Sequence, residues 1–317
     1  MALSHQVLLT LRAAIFLIPW LTHLFIADIL LSALLPLSAI APTLAYNLSS
    51  AIAEPVWKGI QTILTRINGA QIIVAGADDL PSGESAIVIS NHSKTVAWTD
   101  FYPIQSLALQ TSMLSRCRYF AKHQLKWIPF LGWGLWALNM PLVTRNWTTD
   151  QHEIDRVFHN IRTKSLPIWL ISFSEATRYT SAKRIAAEKW CEANGRKKLG
   201  KHVLYPRTKG FVACVTRLRT TRHVRAVYDV TIAYAYHPPG AGAKREFQRP
   251  PTFWQTLSQP KLGRQSTMYV HVTRHAIEDL PHSDAELARW LEERWVEKGE
   301  RLESLREKLV TGVSWEE

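Results

Sequence analysis

The sequence has few cysteines, and none of them is placed where a disulfide framework or a zinc site would need it. Only three occur in 317 residues, at Cys117, Cys191 and Cys214. No Cys-x-x-Cys pair is present, and the long intervals suit neither a small secreted scaffold nor a set of zinc ligands. These absences favour a reducing compartment, and no metal site is predicted.

Charge is almost missing from the beginning of the chain. Between Ala13 and Ala53 the only formal charge is Asp28. A single helix over this stretch would be roughly 60 Å long, about twice the thickness of the hydrocarbon core of a bilayer. Its three prolines argue against one straight rod, so two arrangements stay open: two short spans or a re-entrant hairpin, or one span followed by an interfacial helix. A cleaved signal peptide fits poorly because the stretch is too long. We expect residues 1–70 to be a helical segment that anchors the chain to a membrane.

Positive charge and tryptophan are abundant. The 38 Lys and Arg outnumber the 26 Asp and Glu, which gives a formal net charge of +12, and there are 13 Trp. A basic balance suits anionic partners such as nucleic acid, anionic lipid or a phosphorylated metabolite. Tryptophan favours the interface between membrane and water. Because basic and acidic residues interleave and no nucleic-acid-binding module is recognisable, nucleic acid is not an expected partner.

Residues 71–317 alternate short apolar runs with helical patterns, which predicts an α/β fold with a mostly parallel sheet flanked by helices. The predicted strands are Gln71–Ala75, Ala86–Ile89, Arg118–Ala121, Pro167–Phe173, Ala226–Tyr236 and Met268–Val272. The predicted helices are Phe101–Ser115, Thr149–Ile161, residues 181–200 and an amphipathic C-terminal helix, Ser283–Leu309. Residues 237–266 are rich in Pro, Gly and Gln and are predicted to be an inserted loop.

Polar side chains follow four of the apolar runs. The four segments are Asn91-His92 with Asp100, Lys122 through Val143-Thr144-Arg145, Ser174-Glu175-Ala176-Thr177-Arg178, and Tyr205-Pro206-Arg207. In open α/β sheets ligands bind at the carboxyl ends of the strands. A His beside an Asp is the smallest unit that can act as an oriented general base, and basic residues suit a substrate that carries phosphate.

In this order the four segments resemble the 1-acyl-glycerol-3-phosphate (lysophosphatidic acid) acyltransferases, and in particular their eukaryotic endoplasmic-reticulum branch. The likeness covers roughly residues 85–235. It implies a membrane-bound enzyme that transfers a fatty-acyl group to the free hydroxyl of a lysophospholipid. Acyl-CoA would be the co-substrate, and no cofactor is implied. The resemblance further implies the endoplasmic reticulum, with the catalytic domain (71–317) facing the cytosol.

The resemblance also implies a role for each matching residue. His92 would remove the hydroxyl proton as the general base, and Asp100 would orient its ring and stabilise the imidazolium. No covalent acyl-enzyme is implied. The substrate-binding positions would be Lys122, Arg145, Glu175, Arg178 and Pro206.

The sequence departs from the family pattern in two places. The family spaces its His and Asp five positions apart, whereas His92 and Asp100 are eight apart. Over a continuous helix this interval would rise about 12 Å, too far for a hydrogen bond, so contact requires a bulge before the helix. Ala176 and Ser174 replace a family Gly and Pro, and Ala is costly there only if φ is positive. The long interval keeps a second hypothesis open, a catalytically silent relative that binds lipid or acyl-CoA. The acceptor head group, the acyl-chain preference and the oligomeric state are left open.

Overall fold

A computed structural model of the chain describes residues 2–78, 80–93, 99–144, 146–238 and 245–315. The helices are α1 (Ala2–Ala33), α2 (Leu35–Ile40), α3 (Pro42–Thr62), α4 (Phe101–Gln110), α5 (Leu131–Ala137), α6 (Trp147–Lys164), α7 (Ser181–Ala193), α8 (Thr208–Leu218), α9 (Phe253–Ser258) and α10 (Asp284–Thr311). The strands are β1 (Gln71–Ala75), β2 (Ser85–Ser90), β3 (Cys117–Tyr119), β4 (Ala121–Lys122), β5 (Leu142–Val143), β6 (Trp169–Phe173), β7 (Val224–Tyr236), β8 (Glu246–Phe247) and β9 (Ser266–Ala276).

The strands form one large sheet in the order β1-β9-β7-β2-β6-β3, with β8 paired to β7. The pairs of β7 with β8 and with β9 are antiparallel, and the other pairs are parallel. Strands β4 and β5 form a separate parallel pair. The predicted α/β fold with a mostly parallel sheet is therefore confirmed. Because β2, β3, β6 and β7 are mutually parallel, their carboxyl ends meet at one edge of the sheet.

Helices cover both faces of the sheet, and each face has its own hydrophobic core. One core joins the sheet to α1, α3 and α4 through residues such as Leu31, Ile60 and Ile104. The other joins it to α6, α8 and α10 through residues such as Phe158 and Leu291. Both faces of the central strands are thus buried, as their continuous apolar sequences indicate.

The N-terminal helices form a hairpin that packs on the sheet. Trp20 of α1 donates to the carbonyl oxygen of Val56 on α3 at 3.0 Å, and Arg12 donates to Asn68 at 2.6 Å. These contacts pair an early residue with a late one, so α1 and α3 run antiparallel. By length and composition, residues Ser4–Ala33 could cross a membrane, although one such helix is weak support for a span. Much of the apolar surface of α1 is exposed.

The structure differs from the sequence predictions in several element boundaries. The helix expected over Phe101–Ser115 ends at Gln110, and the strand expected over Arg118–Ala121 is divided between β3 and β4, which belong to different sheets. The expected loop 237–266 contains β8 and α9, and α9 begins with a capping box at Thr252. In α9 the aromatic ring of Phe253 packs against Trp20, so tertiary contact stabilises a helix too short to stand alone.

Candidate active site

The candidate site begins where β2 ends. This strand lies between β6 and β7, and every one of its residues is buried. Directly after it, the side-chain amide of Asn91 bonds to both backbone groups of Ile232 on β7, donating to its oxygen at 3.0 Å and accepting from its N–H at 2.8 Å. These two bonds fix the direction of the chain as it leaves the sheet, and they set the starting position of His92.

His92 and Asp100 are in direct contact. Nδ1 of the imidazole is hydrogen-bonded to Oδ2 of the carboxylate, which is completely buried. The same oxygen accepts the backbone N–H of Ser93 at 2.9 Å, and Oδ1 accepts the hydroxyl of Tyr234 at 2.9 Å. Three donors therefore hold the buried carboxylate in place, and the carboxylate in turn fixes the orientation of the imidazole ring.

The eight-residue interval does not prevent this contact. Helix α4 begins at Phe101, so Asp100 precedes the helix and occupies a turn, and residues 91–93 have no regular secondary structure. The 12 Å separation expected from a continuous helix consequently does not apply. Residues 94–98, which include two of the three apparently inserted residues, lie outside the described part of the chain.

The other side of the imidazole ring remains available. His92 stacks on Phe173 with ring centroids 4.7 Å apart and an interplanar angle of 22°, and 10% of its side chain is exposed. Among the described residues, no group bonds to Nε2. Because Nδ1 faces a carboxylate, the neutral ring carries its proton on Nδ1, which leaves the lone pair on Nε2.

Glu175 lies in the turn after β6 and is 2% exposed. The indole N–H of Trp295 on α10 donates to Oε1 at 3.3 Å. Burial raises the pKa of this carboxyl to about 8, and the negative charge of Asp100 adds to the rise. Hydrogen bonds from the N–H groups of Leu204, Trp295 and His92 lower the pKa but do not offset the effect of burial. Burial therefore favours the protonated form of this carboxyl, which lies close to the backbone N–H of His92 and to Asp100.

The turn that carries Glu175 has a strained backbone. Ala176 has φ of +54°, and its N–H donates to the carbonyl oxygen of Phe173 at 2.9 Å. A positive φ is unfavourable for any residue with a Cβ atom, so Ala at this position costs free energy where Gly would not. The N–H of Arg207 donates to the carbonyl oxygen of Ser174 at 2.7 Å, which joins the third and fourth sequence segments, and Pro206 beside it is buried.

The cationic residues of the prediction are at the surface. Lys122 ends β4 and is exposed, and Arg178 follows the Glu175 turn and is also exposed. Lys183 of α7 donates to Thr177 Oγ1 at 2.5 Å and to the carbonyl oxygen of Arg178 at 3.2 Å, which ties the start of α7 to this turn. Arg145 lies outside the described residues.

Sequence reasoning missed Tyr234, Trp295 and Lys298. Lys298 is completely buried, where its ammonium group bonds to the carboxylate of Asp229 and to the carbonyl oxygen of Val230 at 2.7 Å. It also lies 5.0 Å from the centre of the Trp295 ring. The sequence carries one signal of this contact, a lone Lys at the otherwise apolar positions of the amphipathic helix α10.

The cysteines are not suited to act as nucleophiles. All three are buried, and burial raises the pKa of Cys117 and of Cys214 to about 12. A thiol in that state is a poor nucleophile at neutral pH. Within the described residues, no group of three or more His, Cys, Asp or Glu side chains could hold a metal ion.

Comparison with known families gives two adjacent matches. Residues 71–235 match the family model described as Acyltransferase, and residues 262–311 match the model described as Acyltransferase C-terminus. The chain belongs to the acyltransferase family. The first match contains His92, Asp100 and Glu175, and the second contains Trp295 and Lys298.

Several curated relatives and one solved structure are similar to this chain. It is 29% identical over 255 residues to 1-acyl-sn-glycerol-3-phosphate acyltransferase 2 of Brassica oleracea, a match that covers 80% of this chain and 60% of the relative. It is 29% identical over 275 residues to lysocardiolipin acyltransferase 1 of Gallus gallus, covering 86% and 67% of the two chains. The crystal structure of the 1-acyl-sn-glycerophosphate (LPA) acyltransferase from Thermotoga maritima matches with a TM-score of 0.45 and 18% identity, over 89% of this chain and 97% of that chain. The chain thus spans about 60% of the length of the plant relatives it matches.

Proposed function

We propose that this acyltransferase transfers a fatty-acyl group from acyl-CoA to the free hydroxyl of a lysophospholipid, with His92 as the general base. The observation that carries the proposal is the imidazole of His92, which is held at Nδ1 by Asp100 and has no partner at Nε2 among the described residues. The names of the curated relatives, lysophosphatidate and lysocardiolipin acyltransferases, support the reaction class and a lysophosphatidic acid-like acceptor.

The proposed chemistry uses one proton acceptor and no covalent enzyme intermediate. The hydroxyl of the lysophospholipid gives its proton to Nε2 of His92 while its oxygen attacks the thioester carbonyl carbon of acyl-CoA. Asp100 stabilises the imidazolium that forms. The tetrahedral intermediate collapses with cleavage of the C–S bond, and the imidazolium returns the proton to the leaving thiolate of CoA. The high pKa of the buried cysteines supports a direct transfer over a thioester intermediate on the chain.

The remaining residues of the prediction divide into two roles. Lys122 and Arg178, both exposed, hold the phosphate of the acceptor, and Arg145 is assigned to the same role from its sequence position alone. Glu175 is buried, and burial raises the pKa of its carboxyl to about 8, so we assign it to structural support of the site rather than to phosphate contact. Pro206 is also buried and positions the fourth segment.

The proposal places the enzyme on a membrane. The long apolar helix α1 exposes large hydrophobic side chains along its length, which suits a lipid environment. By resemblance we propose the endoplasmic reticulum, with the site on the cytosolic side where acyl-CoA would reach it, and residues 1–70 as the anchoring segment.

An acceptor screen tests the proposal directly. Radiolabelled oleoyl-CoA is offered to the purified full chain with lysophosphatidic acid, lysophosphatidylinositol and monolysocardiolipin in turn. His92→Ala should lower transfer by at least about 100-fold, the lower range for loss of a general base. His159→Ala, at an exposed position of α6, is the matched control and should leave the rate unchanged. Absence of transfer to every acceptor, or equal rates for the two variants, would refute the proposal.

The hypothesis of a catalytically silent relative was based on the long interval between His92 and Asp100. Because the two side chains are in contact, this interval no longer favours that hypothesis. A silent relative would still be recognised in the screen, since it would bind lysophospholipid without transferring the acyl group. Deletion of residues 93–95 should abolish activity, because the backbone N–H of Ser93 bonds to Asp100.

A further inference from the structure

A group of exposed aromatic side chains lies outside the N-terminal hairpin. In the segment between β4 and β5, Trp127 is 76% exposed, Trp133 47% and Trp136 43%, with Ile128 at 45% beside them. We call these four residues the aromatic surface. Tryptophan is among the costliest side chains to leave in water, so three at this exposure on one short segment mark a contact surface.

The aromatic surface is fixed to α1. Phe130 packs edge-on against Phe25 of α1 and against Trp133, with ring centroids 5.4 Å apart in both pairs. A Cβ atom at Gly134 would lie 2.5 Å from a carboxylate oxygen of Asp28, so α5 packs closely against α1 at this glycine. The surface therefore cannot move independently of α1. The exposed apolar side chains of α1 include Leu8, Leu11, Ile15, Ile18, Leu21, Phe25, Ile26, Ile29 and Leu30.

The charge around the aromatic surface is positive. No Asp or Glu occurs in residues 101–149, a stretch that contains five Lys and Arg. The ammonium group of Lys126 lies 4.6 Å from the centre of the Trp127 ring, and the guanidinium of Arg156 lies 5.1 Å from that of Trp136. Arg156 also pairs with Glu153, whereas Lys126 has no carboxylate partner among the described residues. Aromatic rings flanked by cations suit the headgroup region of a bilayer with anionic lipids.

We propose that the aromatic surface docks on the headgroup region of an anionic bilayer, as a second membrane contact beside α1. Membrane contact through both α1 and the aromatic surface would hold the domain at one angle to the bilayer. Contact through α1 alone would leave the domain free to tilt about that helix. The segment that carries the surface follows β3 and the short β4, and β3, which is parallel to β6, ends at the same edge of the large sheet as the candidate site. Docking would therefore fix the orientation of that edge relative to the lipid. The proposal stands whether or not the chain transfers acyl groups.

The depth of a fluorescent label measures the contact. The three native cysteines are buried, so a cysteine introduced at an exposed position can be labelled selectively with an NBD dye. Trp127→Cys carries the label on the aromatic surface. Ser304→Cys is the control, because Ser304 is exposed on α10, on the opposite face of the sheet from α1. The full chain is reconstituted in vesicles of phosphatidylcholine with 30% phosphatidylglycerol that contain lipids spin-labelled in the headgroup.

We expect at least twofold stronger quenching at position 127 than at position 304. Adding Lys126→Glu should reduce the quenching at 127, and so should vesicles without phosphatidylglycerol, because both weaken the attraction of the surface to lipid. Arg222→Glu, at an exposed turn before β7, removes the same charge elsewhere and should have no effect. Equal quenching at 127 and 304 would overturn the proposal. Protection of the 127 label from a soluble quencher that increases with protein concentration at a fixed detergent concentration would also overturn it, since a second copy would then cover the surface.

Discussion

Replacement of Tyr234 by Phe tests whether the Tyr234 hydroxyl supports catalysis by the His–Asp pair or only stabilises the sheet. The hydroxyl of Tyr234 donates to Oδ1 of Asp100 at 2.9 Å, and both groups are fully buried. Burial and the adjacent carboxylate raise the pKa of Tyr234 well above its ordinary value, so the hydroxyl remains a donor throughout the working pH range. The substitution removes that donor and leaves the ring in place.

The expected loss follows from the charge of the acceptor. A hydrogen bond to a charged group contributes about 1.5–3 kcal/mol, and each 1.4 kcal/mol corresponds to about a factor of ten in rate. Asp100 keeps its bonds to the N–H of Ser93 and to His92, so we take the lower end of that range. The value of kcat for acyl transfer should fall about tenfold in Tyr234→Phe. The free energy of unfolding, measured by urea titration, should fall by about 1–2 kcal/mol.

The same strand provides a matched control. Tyr228 also lies on β7, is also fully buried, and donates its hydroxyl to a carboxylate, that of Glu84, at 2.6 Å. Tyr228→Phe should therefore cost a similar free energy of unfolding but leave kcat unchanged, because Glu84 precedes β2 at the end of the strand opposite His92. If the two variants lowered kcat equally, Tyr234 would be a structural residue only, and the assigned support of Asp100 would be refuted.

Three further substitutions test the buried groups around the site. The free energy of unfolding of Glu175→Gln should change little as pH rises from 5 to 8, whereas that of the wild type should fall by roughly 3.5 kcal/mol. A carboxyl whose pKa is about 8 in the folded state and about 4.5 in the unfolded state binds more protons when folded, and urea unfolding at several pH values measures the difference. Ala176→Gly should raise the free energy of unfolding by up to about 1 kcal/mol, because glycine adopts a positive φ without strain. The control Ala186→Gly, at an exposed position of α7, should lower it by about 1 kcal/mol. Lys298→Met should cost about 3–5 kcal/mol of unfolding free energy, because it leaves the buried carboxylate of Asp229 without its partner; a loss below 1 kcal/mol would show that Asp229 is not ionised there.

The sheet could be predicted from sequence wherever a strand is both apolar and bounded by turn residues. Strand β1 has the predicted bounds, Gln71–Ala75, and β2 extends its predicted run by one residue at each end. The short strands β3 and β4 could not be told apart by the same means, because a change of sheet within a few residues leaves no mark on hydrophobic periodicity. Helix α9 was missed because its stability comes from packing on α1, which no local pattern reports.

His92 and Glu175 could be found from sequence because each directly follows a strong strand, and parallel strands bring their carboxyl ends together. Tyr234 could not be found in this way. Both faces of β7 are buried, so its sequence does not alternate between polar and apolar residues and does not show which side chains face the site. Only the pairing of β7 with β2 places the hydroxyl of Tyr234 over Asp100, a residue 134 positions earlier in the chain.

The C-terminal helix shows why the site cannot be understood from the catalytic segments alone. Trp295 on α10 supplies the hydrogen bond to Glu175, and Lys298, one turn later, neutralises Asp229 in the middle of β7. Both contacts lie in the interior, where an unpaired polar group is costly, so the sheet and the turn after β6 depend on α10 for their stability. The two matched regions, 71–235 and 262–311, therefore form one buried polar network beneath His92, and the second region is a structural part of the site that the first region presents.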